Sequence, residues 1–183
     1  MAVAVVGYDL CPEVTIAEII DQIRHACLFL WLRTGQRMMI YGHSAGGHLA
    51  GAMLATDWQA LYPKAPPNLV SAAYSISGLF DLTPLVGLAM AQDLRLDEPE
   101  ARRVSPLFWP APKERAFDAV VGGLESSEFL RQSRIVADSW GKAGAQTRYE
   151  AVAGMNHFTV IDALADPQSA MVGRLTELAP PRA

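Results

Sequence analysis

Apolar and polar positions change period several times along the chain, and each change marks an element. Residues 2–6 form a short, continuous, β-branched run that ends at Gly7, which predicts a strand buried on both faces of a parallel sheet. After Pro12, the residues Ile16, Ile19, Ile20, Ile23, Cys27 and Leu30 recur at three- and four-residue steps up to Gly35, the pattern of an amphipathic helix. Residues 37–41 read as a strand that runs into Gly42-His43-Ser44-Ala45-Gly46-Gly47, and the Ala/Leu-rich stretch 48–56 as a helix. Further strands are predicted over 69–77, 118–123 and 147–152, with helices over 127–143 and, broken near Pro167, over 158–178. Residues 79–112 mix short helical stretches with Pro84, Pro99, Pro106 and Pro110, and read as a small cap-like insertion. Strands alternating with helices imply one α/β domain over residues 1–183, a mainly parallel sheet of about five strands flanked by helices, with no repeat or linker.

Composition narrows the function classes. The 15 Lys and Arg against 19 Asp and Glu give a net charge of −4, and no basic cluster is present, so nucleic acid and anionic membrane are not expected partners. The longest internal apolar stretch, residues 26–32, is far short of the roughly 18 residues that suggest a membrane span. The first apolar run has neither a basic flank nor a small-residue cleavage signal, so it is not read as a signal peptide. Cys11 and Cys27 fit neither a zinc site nor a disulfide scaffold; a reducing cytoplasm and no metal are the expectation.

Gly42-His43-Ser44-Ala45-Gly46 is a G-x-S-x-G motif between a predicted strand and a predicted helix. A serine there sits on a sharp turn that lifts its hydroxyl above the carboxyl edge of the sheet, and the helix behind it adds its positive end. The Ala45 amide, with Gly46 beside it, is then a donor for the oxyanion formed when Ser44 attacks a carbonyl. Such a serine needs an imidazole to take its proton. His25 lies within the first helix, and His43 and His48 crowd the turn itself, whereas His157 follows a strand in the loop 153–158, where a sheet delivers side chains to a site. The acid that orients it is expected to be Glu125, just after the 118–123 strand; the order Ser44, Glu125, His157 is that of α/β-hydrolases. Asp81 competes for that role, although it could equally cap a helix, and Glu128 and Asp162 are further carboxylates.

These residues resemble the serine α/β-hydrolases of the arylformamidase (kynurenine formamidase) type, within the wider hormone-sensitive-lipase-like esterases. The likeness spans most of the chain. It is carried by Tyr8-Asp9-Leu10-Cys11-Pro12, Gly42-His43-Ser44-Ala45-Gly46-Gly47-His48-Leu49, Ser77-Gly78-Leu79-Phe80-Asp81-Leu82-Thr83-Pro84, Glu128-Phe129-Leu130-Arg131-Gln132-Ser133 and Asn156-His157-Phe158. The resemblance implies the α/β-hydrolase fold, Glu125 as the acid, no cofactor, and hydrolysis of N-formyl-L-kynurenine to L-kynurenine and formate in tryptophan degradation. A planar aryl substrate would want apolar walls, for which Phe80, Trp109 and Met155 are candidates, each equally readable as core.

The resemblance also implies early strands and a His-Gly-Gly oxyanion loop ahead of residues 2–6, and no such loop occurs at a matching position here, so the chain reads as N-terminally truncated. Losing one oxyanion donor costs about 2.7 to 4 kcal/mol. Two alternatives therefore stand beside the formamidase expectation: a short-acyl carboxylesterase, and an inactive remnant or binding module. An apolar first strand with open edges would pair with residues 37–41 or draw in a second copy as a homodimer.

Overall fold

In the computed structural model, which describes residues 2–181, helix α1 (Ile16–Thr34) leads into strand β1 (Met38–His43) and helix α2 (Ala45–Leu54). The one-turn helix α3 (Trp58–Leu61) and strand β2 (Val70–Ile76) follow, and short 3-10 turns with helix α4 (Glu98–Arg103) occupy residues 83–108, within the stretch read from sequence as a cap-like insertion. Strand β3 (Ala116–Gly122), helix α5 (Ser127–Lys142), strand β4 (Gln146–Val152) and helix α6 (Ala170–Leu178) complete the chain. The strands are all parallel and lie side by side in chain order, β1-β2-β3-β4.

Local chemistry explains where the elements start. Thr15 Oγ1 accepts from the Glu18 amide at 3.2 Å while the Glu18 carboxylate takes the Thr15 amide at 2.7 Å, a reciprocal cap that opens α1. Ser126 caps α5 and Ser169 caps α6 through their side-chain oxygens. Helix α2 begins at Ala45, directly behind Ser44, three residues before its expected start. The expected closing helix divides into a 3-10 stretch, Thr159–Ala165, and α6.

One expected strand is not formed. Residues 2–10 carry no regular structure, residues 2–7 are exposed, and Val5 is 94% accessible. An apolar β-branched run has the composition of a strand, but a strand also needs a neighbour for its backbone donors and acceptors. β1 pairs with β2 on one side, and among the described residues no strand lies along its other edge. The sheet accordingly has four strands instead of about five.

Alternation along the strands divides the core into two layers. One face of the sheet, through Val70, Ala73, Phe117 and Ala119, packs against α1, α2 and α5, with Ile20, Met53 and Trp140 among the buried contributors. The other face, through Tyr74, Ile76 and Val120, is covered by Val160 of the 3-10 stretch and Met171 and Leu175 of α6. This second cover is thin, and it is fastened by charge. Asp118 of β3, with a side chain 1% exposed, accepts from Arg174 of α6 at Nε (2.7 Å) and Nη2 (3.1 Å). A bidentate guanidinium satisfies a buried carboxylate that would otherwise be costly.

Replacing that cation leaves the buried carboxylate without its hydrogen-bonded partner, with only Arg148, at 4.0 Å, left among the described residues. Arg174→Met is expected to lower the unfolding free energy by about 3 to 5 kcal/mol in a denaturant titration, and adding Asp118→Leu to recover part of the loss. Equal stability of Arg174→Met and the parent chain would refute the clasp.

Candidate active site

The turn between β1 and α2 sets Ser44 at φ 55°, ψ −115°, a left-handed conformation for a residue with a side chain. Three contacts hold it there. The Ser44 amide donates to Ile76 O at 2.8 Å, extending the β1/β2 ladder one step past the strand, and its carbonyl accepts the first bond of α2 from the His48 amide at 3.1 Å. Gly42 lies so close to Gly46 that a Cβ at Gly42 would collide with the Gly46 carbonyl, whereas a Cβ at Gly46 would meet nothing within 4 Å. Of the two flanking glycines, the first is the one sterically required. The amides of Ala45 and Gly46 stand ahead of the first α2 bond, where a helix offers free donors to a negative charge.

His157 and Glu125 arrive on the loops that follow β4 and β3. These loops lie against each other: Leu124 N–H donates to Met155 O at 2.9 Å, Gly123 N–H donates to Val152 O at 2.8 Å, and a Cβ on Gly122 would sit 2.5 Å from Met155 O. Asn156 fixes the histidine's own backbone, its Oδ1 accepting from the Phe158 amide (2.9 Å) and the Thr159 amide (3.0 Å). His157 Nε2 then stands 3.2 Å from Ser44 Oγ, and its Nδ1–H donates to Glu125 Oε2 at 2.7 Å. A donor at Nδ1 leaves the Nε2 lone pair for the serine hydroxyl, the tautomer a general base requires.

The Glu125 side chain is 1% exposed, yet both its oxygens are engaged. Oε1 accepts from Ser77 Oγ–H at 2.5 Å and from the Gly122 amide at 2.7 Å, so donors surround the carboxylate. Ser77 is itself buried at φ 52°. The motif-bearing stretches 77–84 and 128–133 meet just behind it. Gln132, 1% exposed, accepts from the amides of Phe80 and Asp81 (2.9 Å each) and donates to Asp81 O and Glu128 Oε1 (2.7 Å each). Three of these bonds join α5 to the loop after β2, and the fourth, to Glu128, stays within α5.

The other carboxylates have different work. Asp81 accepts from Thr83 at its amide (3.0 Å) and hydroxyl (2.6 Å), Glu128 pairs with Arg131 at 2.7 Å, and Asp162 is exposed. His25 is exposed on α1. His43 Nε2–H donates to the backbone carbonyl of His157 at 2.8 Å, and its ring lies 4.6 Å from the His157 ring. His48 is buried and donates from Nδ1 to Leu79 O at 2.8 Å, leaving Nε2 without a hydrogen-bond partner.

Two of the expected substrate walls belong elsewhere. Phe80 is fully buried and stacks edge-on against Phe117 (5.5 Å) and Trp140 (6.5 Å), so it is core. Trp109 carries Arg24 5.4 Å from its ring, and Arg24 bonds Thr56, beyond the C-terminal end of α2 and thus a helix length from Ser44. Met155 does lie in the His157 loop, 37% exposed. Besides His43, the rings beside His157 are Phe129 (4.6 Å) and Phe158 (5.6 Å), the latter 77% exposed. Neither was expected from the sequence; their only signal was that Phe129 and Phe158 fall within motif stretches.

No helix among the described residues is long and apolar enough to cross a membrane. Among the same residues no group of His, Cys, Asp and Glu could hold a metal ion.

No family model matches the chain. Curated relatives do, among them the kynurenine formamidase of Salmo salar, 30% identical over 178 residues, and that of Danio rerio, 29% over 171 residues. These alignments take in 91% and 90% of the chain, which spans only 58% and 57% of the relatives' own length. A solved structure from Silicibacter sp. TM1040, provisionally assigned as a thioesterase, matches with a TM-score of 0.79 and 33% identity over 92% of this chain and 62% of its own. An esterase of the bacterial hormone-sensitive lipase family shares the fold, with a TM-score of 0.71 and 21% identity over 93% of this chain and 62% of its own. The fold is that of an α/β-hydrolase, and the resemblance to the arylformamidase type holds along nine-tenths of the chain.

Burial gives His48 a measurable consequence. Desolvation pushes its pKa down to about 4, against the opposing pull of its bond to Leu79. Because the folded value lies below the unfolded one, the unfolded chain binds the extra proton, and stability falls as pH drops from about 6.5 to about 4, by about 3 kcal/mol from this group. Urea titrations of the parent chain and His48→Gln should therefore diverge over that window, the parent losing more. Parallel curves would contradict a buried neutral His48.

Proposed function

We propose that the chain carries the nucleophile, base and acid of a serine hydrolase that cleaves N-formyl-L-kynurenine to L-kynurenine and formate, in cytoplasmic tryptophan degradation. The observation that carries this reading is the hydrogen-bonded chain Ser44 Oγ, His157 Nε2, His157 Nδ1, Glu125 Oε2, set on a strained turn. Sequence likeness to the kynurenine formamidases of Salmo salar and Danio rerio supports the choice of substrate.

In the reaction Ser44 Oγ attacks the formyl carbon as His157 Nε2 takes its proton, and the carbonyl oxygen becomes an oxyanion facing the Ala45 and Gly46 amides. Collapse breaks the carbon–nitrogen bond, and His157 returns the proton to the departing aryl amine. Water, deprotonated by His157, then attacks the formyl-serine; the bond from the formyl carbon to Ser44 Oγ breaks, His157 returns the proton to Oγ, and formate leaves. Glu125 stabilises the imidazolium in both halves and keeps the ring in register. Phe129, Phe158 and Met155 would border the leaving group. A single formate-releasing cycle needs no cofactor.

An ester or thioester substrate would use the same groups, a reading favoured by the likeness to the Silicibacter protein. Turnover of N-formylkynurenine relative to p-nitrophenyl acetate separates the two.

Ser44→Ala is expected to abolish hydrolysis and labelling by a fluorophosphonate, and His157→Ala and Glu125→Ala each to lower kcat by roughly 10⁴-fold or more. Turnover persisting in Ser44→Ala would overturn the proposal. A parent chain that neither turns over nor labels would leave a binding module.

A further inference from the structure

The histidine inside the G-x-S-x-G motif has no part in the chemistry described above, yet it touches the base. His43 closes β1 and His157 follows β4, the two outer strands of the sheet, 114 residues apart in the chain. No ladder bond runs between those strands, so the sheet alone does not fix their separation. Among the described residues, two hydrogen bonds span the gap. One is His157 Nε2 to Ser44 Oγ, 3.2 Å, which must change every time a proton moves. The other is His43 Nε2 to the carbonyl of His157, 2.8 Å, which need not.

We infer that His43 is a positioning residue, its Nε2–H holding the backbone of His157 so that the base stays over Ser44 through the proton transfers. The inference rests on reading Ser44, His157 and Glu125 as the reacting groups. A carbonyl only accepts, so the proton of a neutral His43 is on Nε2 and the other ring nitrogen is bare. Burial lowers the proton affinity of His43; its bond to the His157 carbonyl and the charge of Glu125 oppose this without reversing it, and the His157 ring adds to it. The tie therefore places no second cation beside His157, whose ring lies 4.6 Å off at a tilt of 44°. The hydrogen bond fixes the backbone, the ring contact limits rotation, and Glu125 takes up the remaining freedom at Nδ1.

Two variants separate the donor from the bulk. His43→Phe keeps a ring without the N–H, and His43→Gln keeps an N–H of similar reach without the ring. In His43→Phe, Ser44 labelling by a fluorophosphonate and kcat should fall about 10- to 100-fold, with KM little changed, as expected when a catalytic group drifts by about an ångström. The downfield proton NMR signal of His157 Nδ1–H should broaden or vanish. In His43→Gln the rate should return to within about threefold of the parent chain, and the signal should reappear. Thermal unfolding confirms that each variant folds. A folded His43→Phe with parental labelling and a sharp signal would overturn the inference, as would a folded His43→Gln as slow as His43→Phe. A parent chain that fails to label would remove the hydrolase reading, while the NMR comparison of parent and His43→Phe would still decide whether His43 holds the base.

Discussion

Everything at the site depends on one backbone constraint, the left-handed conformation of Ser44. A residue with a side chain resists that conformation by about 1 to 3 kcal/mol, so it persists only where its surroundings over-determine it. Here the amide is fixed by Ile76 before the turn has ended, and the carbonyl is fixed by α2 as soon as the helix begins. The chain has one residue in which to reverse from strand to helix. The hydroxyl is thereby pushed out of the sheet's plane, and the free amides of α2 are brought up beside it. Strain, the placement of the hydroxyl and the electropositive helix end are thus consequences of the same turn.

The remaining groups are preorganised by hydrogen bonds that do not themselves react. Glu125 is held by Ser77 and Gly122, His157 by Asn156 and Thr159 in its own loop, and the two loops are bound to each other through Leu124 and Met155. Gln132 ties the loop after β2 to α5, steadying the segment that begins at Ser77. A site assembled this way reorganises little when charge appears, which is where electrostatic catalysis gains its advantage. Gly122 shows the same logic sterically, because only a residue without Cβ lets the His157 loop cross so close.

The sequence made much of this legible, and the failures have physical causes. Strand, turn and helix around Ser44 could be read because the motif states its own geometry, and His157 and Glu125 could be proposed because parallel sheets present side chains at carboxyl ends. Residues 2–6 were misread because strand composition says nothing about whether a partner edge is present. Phe80 and Trp109 stayed open between pocket wall and core for a related reason: an aromatic near a motif has the same local signature in both, and only packing distinguishes them. The contacts of His43, Ser77 and Gln132 span 114, 48 and 51 or 52 residues, so no local pattern encodes them.

The geometry around Ser44 defines a type of reaction more tightly than a substrate, and the surroundings of His157 supply the next constraint. On the proposed reading, the leaving group must take its proton from Nε2 and therefore depart along the His157 side of the turn. That side presents Phe129, Phe158, Met155 and Leu124, of which Phe158 and Leu124 are 77% and 68% exposed. An apolar, partly open border suits a flat aromatic amine, whose ring gains by leaving water. The acyl side faces Ala45 and Gly46, small residues whose amides need close approach, and the formyl group is the smallest acyl unit that can be offered to them. On that reading leaving group and acyl group are constrained by different loops, and a preference for an aryl amine and one for a formyl group would be alterable separately.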